Sequence, residues 1–303
     1  MRRTVLITGA GGFIARFAVR EFAAAGWRTV GIGRSDPDRQ AEFFDIFHRH
    51  ELSGVERIAP LLDRCAPDAI VHLAAPSSVP QSVHGPLADF ERHVVPTANL
   101  LEAMRISASP ARVIVGSSAA VYGNPAVLPV NELASAAPIS PYGFHKLQQE
   151  ILLNEYAQLH GIRGCNARIF STYGEHLRRL AVWDVTRRAM AGGRSVLGTG
   201  EETRDYLYAA DVARALICIA ENAECRGEAI NIGSGQEVSI RSLALEIFRL
   251  LGIGDDPEFT GTAPAANPLH WRADIGRLHA LGFTPGVWSA GLPRTVEWIR
   301  TQP

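Results

Sequence analysis

The stretch Thr4-Val-Leu-Ile-Thr-Gly-Ala-Gly-Gly-Phe-Ile-Ala15 decides the prediction of the fold. Its apolar first part, Thr4–Thr8, is typical of a buried strand, and helical periodicity begins at Phe13 and ends before Gly26. Glycines between a strand and a helix let the backbone approach a pyrophosphate, while the helix N-terminus supplies N–H donors. A tight turn of any α/β fold is the alternative. We predict a dinucleotide-binding loop whose cofactor contacts are Gly9, Gly11, Gly12, Phe13 and Ile14.

Strands and helices alternate along the rest of the chain. Further strands are predicted over 28–32, 69–73, 112–115 and 164–170, and the longest helices over 90–106 and 142–160. Strands that alternate with helices indicate βαβ units and a parallel sheet. We therefore predict an α/β fold with a doubly wound parallel sheet over residues 1–170, to which 205–235 return, and a smaller, intimately packed C-terminal α/β substrate lobe over 171–303.

Composition limits the classes of protein to which this chain can belong. Its 303 residues carry 30 Lys and Arg against 31 Asp and Glu, which argues against a general binder of nucleic acid or of membrane surfaces. Without a run of about 20 apolar residues or a secretory signal, we expect no membrane span and a cytoplasmic location. The four cysteines match no metal-site spacing, which predicts free thiols and no metal site.

The second predicted strand ends in Gly31-Ile-Gly-Arg34. An acidic residue at this point would bind the ribose of NAD, whereas an arginine can meet the 2′-phosphate of NADP. Arg34, helped by Ser35, therefore favours NADP over NAD as the cofactor. A solvated loop arginine is the alternative interpretation.

The segment Tyr142-Gly-Phe-His-Lys146 contains a pair of residues suited to proton transfer. Tyr142 and Lys146 are four residues apart at the start of a predicted helix, so they lie on one helical face. A nearby ammonium lowers the pKa of a phenol, which makes tyrosine a general base for a sugar hydroxyl. Ser118 follows a predicted strand and can hydrogen-bond the same oxygen. Surface decoration is the alternative for an isolated pair, but the glycine loop and Ser118 favour catalysis.

Six motifs, in this order, resemble the extended short-chain dehydrogenase/reductase family in its nucleotide-sugar epimerase/dehydratase branch. They are Thr8-Gly-Ala-Gly-Gly-Phe-Ile14, His72-Leu-Ala-Ala75, Ser117-Ser-Ala-Ala-Val-Tyr-Gly123, Ser140-Pro-Tyr-Gly-Phe-His-Lys146, Arg204-Asp-Tyr-Leu-Tyr-Ala-Ala-Asp211 and Asn231-Ile-Gly-Ser-Gly235. The resemblance covers nearly the whole chain. It implies a Rossmann-like sheet, an NAD(P) cofactor, a nucleotide-sugar substrate and a homodimer built on the helices 90–106 and 142–160.

The resemblance also implies roles for individual residues. Tyr142 would be the catalytic base and acid, Lys146 would hold the nicotinamide ribose, and Ser118 would orient the reacting oxygen. Arg204 matches the family's arginine for the diphosphate, and Arg272 is the only basic candidate for a second one. The remaining implied cofactor contacts are Leu73, Ala74, Ala75 and Glu51.

Two residues depart from the family's pattern inside predicted functional segments. The family usually has Asn where this chain has His93, and it often has a phosphate-binding Asn where this chain has Ser171. We expect His93 to bond a backbone carbonyl, with a role in proton relay as the alternative. A clamp with fewer phosphate ligands predicts weaker binding of a nucleotide sugar, or an unusual one.

Other candidate substrate contacts follow from their position in the fold. Ser77 and Ser78 come after a predicted strand, and loops at the carboxyl ends of parallel strands face the ligand crevice. We expect one of these serines to touch the sugar, with plain loop polarity as the alternative. Trp183 and Trp271 are expected to serve packing rather than stacking on a base.

Ala119 and Ala120 narrow the choice of reaction. A sugar 4,6-dehydratase needs a general acid here for the leaving hydroxyl, and alanine cannot exchange a proton. A C4 epimerase, which oxidises and re-reduces C4 through a 4-keto sugar, needs only the Ser–Tyr–Lys set and a retained cofactor, and a 4-ketoreductase uses that set once. The alanine-containing run favours the epimerase and Arg34 mildly favours the reductase, so we expect an epimerase with the reductase as the alternative. A cofactor-binding protein without chemistry is least favoured, because Tyr142 and Lys146 are both intact.

Overall fold

The structure is a computed structural model that describes residues 2–34, 43–262 and 268–303. Ser35, expected to assist Arg34, lies outside these residues. Seven of the strands in the described part form one sheet: β1 (Thr4–Thr8), β2 (Arg28–Gly33), β3 (Ile46–Arg49), β4 (Ala69–His72), β5 (Arg112–Ser118), β6 (Gly164–Ile169) and β11 (Arg226–Ile232). Their order is β11-β6-β5-β4-β1-β2-β3, and every neighbouring pair is parallel.

The helices of the described residues fill the connections between strands. They are α1 (Phe13–Ala24), α2 (Val55–Cys65), α3 (Val79–His84), α4 (Pro86–Ile106), α5 (Pro141–His160), α6 (Leu180–Met190), α7 (Ala209–Asn222), α8 (Ile240–Leu251), α9 (Gly276–Ala280) and α10 (Leu292–Arg300). Short strands complete the fold: β7 (Ser171–Tyr173), β8 (Ser195–Val196), β9 (Thr203–Arg204), β10 (Tyr206–Tyr208), β12 (Val238–Ser239) and β13 (Glu258–Phe259). None of these helices is long and apolar enough to cross a bilayer.

Helices cover both faces of the sheet. On one face α1 and α7 pack over a core that includes Val5, Phe17 and Leu216. On the other face α2, α4 and α5 pack over a core that includes Leu101 and Val113. Burial of both faces explains why the strands are apolar runs rather than alternating patterns. The predicted doubly wound α/β fold is confirmed.

The C-terminal lobe has a core of its own. Helices α6, α8 and α10 supply it through residues such as Val185, Ile247 and Val296. From residues 205–235, β11 joins the edge of the sheet and α7 packs on α1, whereas β10 pairs with β7 outside the sheet. The division of the chain at residue 170 stays a prediction.

Two local differences from the predicted elements have simple causes. Helix α4 begins at Pro86, four residues before the expected start, because Gly85 and Pro86 provide a helix entry that the apolar pattern alone does not mark. Strand β3 was not expected, since only four half-exposed or exposed residues at the sheet edge form it. Neither difference changes the topology near the glycine loop.

Cysteine chemistry and metal binding do not mark a site in the described residues. All four cysteines are free, and no group of three or more His, Cys, Asp and Glu side chains in the described ranges is arranged to hold a metal ion. In doubly wound folds, ligands bind at the carboxyl edge of the sheet, which is therefore the expected place of a functional site.

Candidate active site

A glycine-rich loop connects β1 to α1 at the carboxyl edge of the sheet. Gly9 has a φ of +64°, and a Cβ there would lie 2.6 Å from the carbonyl oxygen of Leu73, so a side chain does not fit without a shift. A Cβ on Gly12 would lie 2.9 Å from the carbonyl oxygen of Gly9. Gly11 and Gly12 are exposed and carry no side chain, so a phosphate can approach the N-terminus of α1. The loop fits the pyrophosphate of a dinucleotide.

Helix α5 brings Tyr142 and Lys146 to the same edge of the sheet. Ser140 caps this helix, because its hydroxyl oxygen accepts a hydrogen bond from the N–H of Gly143 at 3.2 Å. Tyr142 and Lys146 are both buried, and Lys146 Nζ lies 5.9 Å from the centre of the Tyr142 ring. Lys146 Nζ also donates to the carbonyl oxygen of Gly116 at 2.7 Å, which fixes the ammonium beside the end of β5.

Burial opposes charge on both of these side chains. It raises the pKa of Tyr142, whereas a hydrogen bond with Ser118 and the charge of Arg179 act in the opposite direction. Burial lowers the pKa of Lys146 to about 8, against the attraction of nearby carboxylates. The Tyr142 phenolate therefore depends on neighbouring donors and cations rather than on solvent. The structure brings Ser118, Tyr142 and Lys146 together.

His93 belongs to a buried polar network behind Tyr142. Its Nδ1 donates to the carbonyl oxygen of Asp89 at 2.8 Å, which is the expected backbone bond. Its ring contacts Tyr142 edge to face, with centroids 5.5 Å apart, and Asp89 Oδ2 lies 2.6 Å from His145 Nδ1. Burial lowers the pKa of His93 to about 4, so the ring is neutral near pH 7. His93 Nε2 is buried without a hydrogen-bond partner in the described part of the chain.

A second buried network fixes the end of β5. Ser117 donates to Glu150 Oε1 at 2.5 Å, and Glu150 pairs with Arg168 at 2.7 Å. Arg168 also donates to Tyr122 Oη at 2.9 Å. Because Glu150 follows Lys146 by one turn of α5, the network ties this helix to β5 and β6.

A cleft of about 830 Å³ is lined by residues of the sheet edge and of the C-terminal lobe. This volume suits a small-molecule ligand that is largely enclosed. Its walls include the predicted cofactor and catalytic residues Gly12, Phe13, Ile14, Leu73, Ala75, Ser118, Tyr142 and Lys146. They also include the predicted substrate residues Ser77, Ser78, Ser171 and Arg204. Most of the predicted site is thus in one cavity.

Arg204 enters the cleft from β9. Its Nη1 donates to the carbonyl oxygen of Thr203 at 2.7 Å, and its guanidinium lies 5.6 Å from the centre of the Trp271 ring. Burial lowers the pKa of Arg204. Trp271 donates to the carbonyl oxygen of Gly123 at 3.0 Å and is packed as expected, yet it also lines the cleft. The pair forms a cationic and aromatic wall.

Predicted cofactor residues that do not line the cleft lie next to it or on the surface. Gly9 and Gly11 belong to the loop, and a Cβ on Gly9 would lie 2.8 Å from Cα of Ala74. Arg34 and Glu51 are exposed near the ends of β2 and β3, with Arg34 Nη1 4.0 Å from Glu51 Oε1. Both are open to a ligand that extends along the sheet edge.

Arg272 is the predicted substrate residue that the structure does not bring into the cleft, judged on the residues it describes. It is exposed, and its Nε donates to the carbonyl oxygen of Gly235 at 3.0 Å. Its assignment as a second diphosphate ligand stays a prediction without support from this geometry.

Side chains of the cleft wall that sequence reasoning missed include Arg179, Trp183 and Arg188. Arg179 directly precedes α6, and the other two lie on that helix. Trp183 was expected only to pack, but it lines the cleft as well. Arg188 donates to the carbonyl oxygen of Ser195 at 2.9 Å. The paired arginines 178–179 and 187–188, at the two ends of one predicted helix, were the available signal.

The chain matches the sequence model of a known protein family. The sequence model of the NAD dependent epimerase/dehydratase family matches residues 5–233, which is more than half of the chain. The chain belongs to this family. Membership confirms the resemblance drawn from the six motifs, which all begin within the matched residues.

Known members of the epimerase/dehydratase family cover this chain along its length. UDP-glucose 4-epimerase of Mycolicibacterium smegmatis is 33% identical over 312 residues, 98% of each chain. The structure of UDP-glucose 4-epimerase with UDP-glucose from Thermotoga maritima has a TM-score of 0.88 at 26% identity and 98% coverage of both chains. UDP-glucuronic acid 4-epimerase from Bacillus cereus, in complex with UDP-glucuronic acid and NAD, has a TM-score of 0.88 at 26% identity, covering 98% of this chain and 99% of that one. The Rossmann-like fold is confirmed.

Proposed function

We propose that the protein is a nucleotide-sugar 4-epimerase that works through a 4-keto sugar. The observation that carries this proposal is the buried Tyr142, with Ser118 and Lys146 beside it, in the wall of a cleft that also contains Arg204. One set of residues thus suits proton transfer, and another suits the anionic diphosphate of the substrate. The M. smegmatis relative is called UDP-glucose 4-epimerase, so UDP-hexoses are the first substrates to test.

A nicotinamide dinucleotide would lie against the glycine loop. Gly9 and Gly12 leave room for its pyrophosphate, and Lys146 is the candidate partner of its ribose. When bound, the dinucleotide would supply a reversible hydride acceptor for C4 of the sugar. We further propose that Arg34 gives the site a preference for NADP over NAD, because its guanidinium is exposed at the end of β2.

Tyr142 takes the proton of the C4 hydroxyl and returns it to the same oxygen after the 4-keto sugar has turned, so that C4 is re-reduced on its opposite face. Lys146, charged at pH values below about 8, stabilises the phenolate. Ser118 would orient the reacting oxygen, because its hydroxyl lies in the same cleft wall as Tyr142 and opposes the effect of burial on the pKa of that phenol. No net proton is consumed over the cycle, so an epimerase needs no separate acid.

The C-terminal lobe would hold the nucleotide diphosphate. Arg204 and Arg188 line the cleft there and offer charge-assisted hydrogen bonds to phosphate oxygens. Ser171 lines the same wall with a hydroxyl in place of an amide. Trp271 and Trp183 add flat apolar surface for the rest of the nucleotide.

A 4-ketoreductase is the alternative, because it uses the same Ser118, Tyr142 and Lys146 once and then releases the oxidised cofactor. Dehydration is less well supported. Ala119 and Ala120 are buried beside the catalytic helix. Among the described residues, the carboxylates that line the cleft are Asp184 and Glu202, both of the C-terminal lobe, and Glu202 accepts hydrogen bonds from the N–H groups at 199 and 200.

We also propose a homodimer through the outer faces of α4 and α5. These helices expose the apolar side chains Leu87, Val95, Phe144 and Ile151, of which Phe144 and Ile151 are two turns apart on one side of α5. Exposed apolar patches of this kind mark interaction surfaces. A light-scattering mass of about 66 kDa, twice the 32.8 kDa of one chain, would support the dimer, and 32.8 kDa would exclude it.

Substitution Tyr142→Phe tests the mechanism. It removes the proton acceptor while keeping the ring, so turnover of UDP-glucose to UDP-galactose should fall about 100- to 10,000-fold. Tyr156→Phe is the matched control, because Tyr156 lies on the same helix and its hydroxyl contacts Glu102 at 3.1 Å instead of the cleft. Thermal unfolding and cofactor content should match the wild type in both variants. Activity that survives in Tyr142→Phe contradicts the mechanism.

The nicotinamide released on denaturation separates epimerase from reductase. Near-stoichiometric NAD(H) or NADP(H) in the purified protein supports the epimerase, because its cofactor is regenerated in each cycle. Protein that emerges without cofactor and consumes NADPH with a 4-keto sugar supports the reductase. Protein that binds neither dinucleotide contradicts both.

A further inference from the structure

Arg179 makes a contact across the cleft, between the C-terminal lobe and the sheet edge. It directly precedes α6 of the C-terminal lobe, and its side chain reaches Ser77, which follows β4 at the sheet edge. Nη1 donates to the carbonyl oxygen of Ser77, and Nη2 donates to the Ser77 hydroxyl at 2.5 Å. The next residue, Leu180, has a φ of +68°, a backbone conformation that is costly for a residue other than glycine.

The guanidinium of Arg179 lies at the catalytic end of the cleft. Its charge lowers the pKa of Tyr142, so the two groups are close enough to interact. Arg179 lines the cleft together with Ser77, Ser78 and Tyr142. Any substrate with its C4 hydroxyl on Tyr142 therefore has the neighbouring ring substituents beside this cation.

No carboxylate within the described ranges neutralises Arg179, whose protein contacts there are a backbone carbonyl and a hydroxyl. A guanidinium has five N–H donors, so three remain after the two contacts with Ser77. Burial already lowers the pKa of Arg179, which means that its charge has lost part of its hydration. A half-buried cation without a counter-charge attracts an anion from the ligand.

We propose that Arg179 binds a carboxylate on the sugar, and hence that the preferred substrates are nucleotide-linked uronic acids. The inference rests on the proposed function, because Tyr142 is what fixes C4 near the guanidinium. In a pyranose, C5 is bonded to C4, so a carboxylate at C6 lies beside the reacting oxygen. The diphosphate is attached to C1, on the opposite side of the ring, where Arg204 and Arg188 are available. A neutral C6 hydroxymethyl group would leave the charge of Arg179 unmatched.

UDP-glucuronate and UDP-glucose provide a sharp test, because they differ only at C6. Wild-type kcat/KM should favour UDP-glucuronate. Arg179→Gln should lower kcat/KM for UDP-glucuronate about 10- to 150-fold more than for UDP-glucose, because lost hydrogen bonds to a charged group affect only the uronate, whereas the lost charge near Tyr142 affects both sugars. Arg179→Lys should retain part of the preference, since it keeps the charge but loses the bidentate fork.

Arg178→Gln is the matched control. Arg178 is the preceding residue, is exposed, donates to Gln302 and is absent from the cleft wall in the described structure. It should leave both substrates unchanged. Thermal unfolding of all variants checks that the lobes remain folded.

Three results would overturn the inference. Equal losses for both sugars in Arg179→Gln would make Arg179 a latch between Ser77 and α6 rather than a carboxylate ligand. No loss for UDP-glucuronate, with UDP-glucose still converted, would leave the epimerase standing and refute the role of Arg179. If the protein converts neither sugar, calorimetric binding of UDP-glucuronate tests the inference. Binding that depends on Arg179 in a protein that converts neither sugar supports the inference while the proposed epimerase fails, and the absence of binding refutes the inference.

Discussion

The two walls of the cleft are built differently. The cofactor wall comes from short contiguous segments: the loop at Gly9–Gly12 and the first turns of α5, where Tyr142 and Lys146 are one helical turn apart. The substrate wall is assembled from side chains scattered over the second half of the chain, including Arg179, Arg204 and Trp271. The first wall is anchored in a sheet that is buried on both faces, and the second is carried by two-stranded pairings and loops.

The two walls suit two different tasks: the binding of a cofactor of constant shape, and the recognition of substrates that vary. A tight turn and a four-residue helical spacing are fixed by backbone geometry, so they suit a cofactor whose shape does not change. Side chains at loops and helix ends can be exchanged without altering the sheet, so they suit the recognition of different sugars and nucleotides. Substitutions that displace the backbone should therefore impair binding at the cofactor wall most. Replacements of individual side chains should impair binding at the substrate wall most.

The largest effect is expected from Gly9→Ala in the cofactor wall. The new Cβ would lie 2.6 Å from the carbonyl oxygen of Leu73 and would sit on a backbone with a φ of +64°. Displacement of the loop should destroy dinucleotide binding and lower the free energy of unfolding by about 2–4 kcal/mol. Chemical denaturation and bound nicotinamide measure the two effects.

Gly26→Ala is the control for this prediction. Gly26 also has a positive φ, +83°, but a Cβ there would meet no atom within 4 Å. It should lower the free energy of unfolding by about 1 kcal/mol and leave the cofactor bound. Equal effects of the two substitutions would mean that close approach to Leu73 is unimportant.

The cofactor wall could be predicted from the sequence because its backbone geometry, which also makes it rigid, follows from short sequence patterns. Glycines after an apolar strand and a Tyr–Lys spacing on a helix are local patterns with one geometric meaning each. Ser118, Tyr142 and Lys146 were predicted to converge, and the structure brings them together at the carboxyl edge of the sheet. The doubly wound parallel sheet was predicted from the alternation of strands and helices.

Only some residues of the substrate wall could be predicted from the sequence. Arg204 was found because it belongs to a contiguous motif, whereas Arg179 and Arg188 belong to none. Their presence in the cleft depends on how α6 packs against α8 and α10, which is a tertiary fact. Arg272 was chosen as the only basic candidate for a second diphosphate ligand, and residue type alone does not decide the direction of an exposed side chain. Strand β3 was not predicted because it lies at the sheet edge, where its residues are at most half-buried and give no clear apolar pattern.

Charge removal in the substrate wall should have a moderate effect that depends on position. Arg204→Gln removes a cleft cation that is available to the diphosphate, so KM for UDP-glucose should rise about 10- to 100-fold with a smaller change in kcat. Arg272→Gln should change KM less than about 2-fold, because Arg272 is exposed and bonded to the carbonyl oxygen of Gly235. Steady-state kinetics on both variants distinguishes them. A larger effect at Arg272 would place this side chain on the bound substrate.

The smallest effect is expected at the far end of the cofactor wall, where Arg34 and Glu51 face each other at 4.0 Å with 80% and 63% of their side chains exposed. Exposed ion pairs are worth little, so the choice between NAD and NADP should rest on small differences. Arg34→Ala should weaken NADP binding about 5-fold and leave NAD binding unchanged, because only NADP carries the 2′-phosphate. Glu51→Gln should strengthen NADP binding slightly, since it frees Arg34 and removes a repelling charge. If Glu51→Gln instead weakens NAD, then Glu51 holds the adenine ribose and the site prefers NAD.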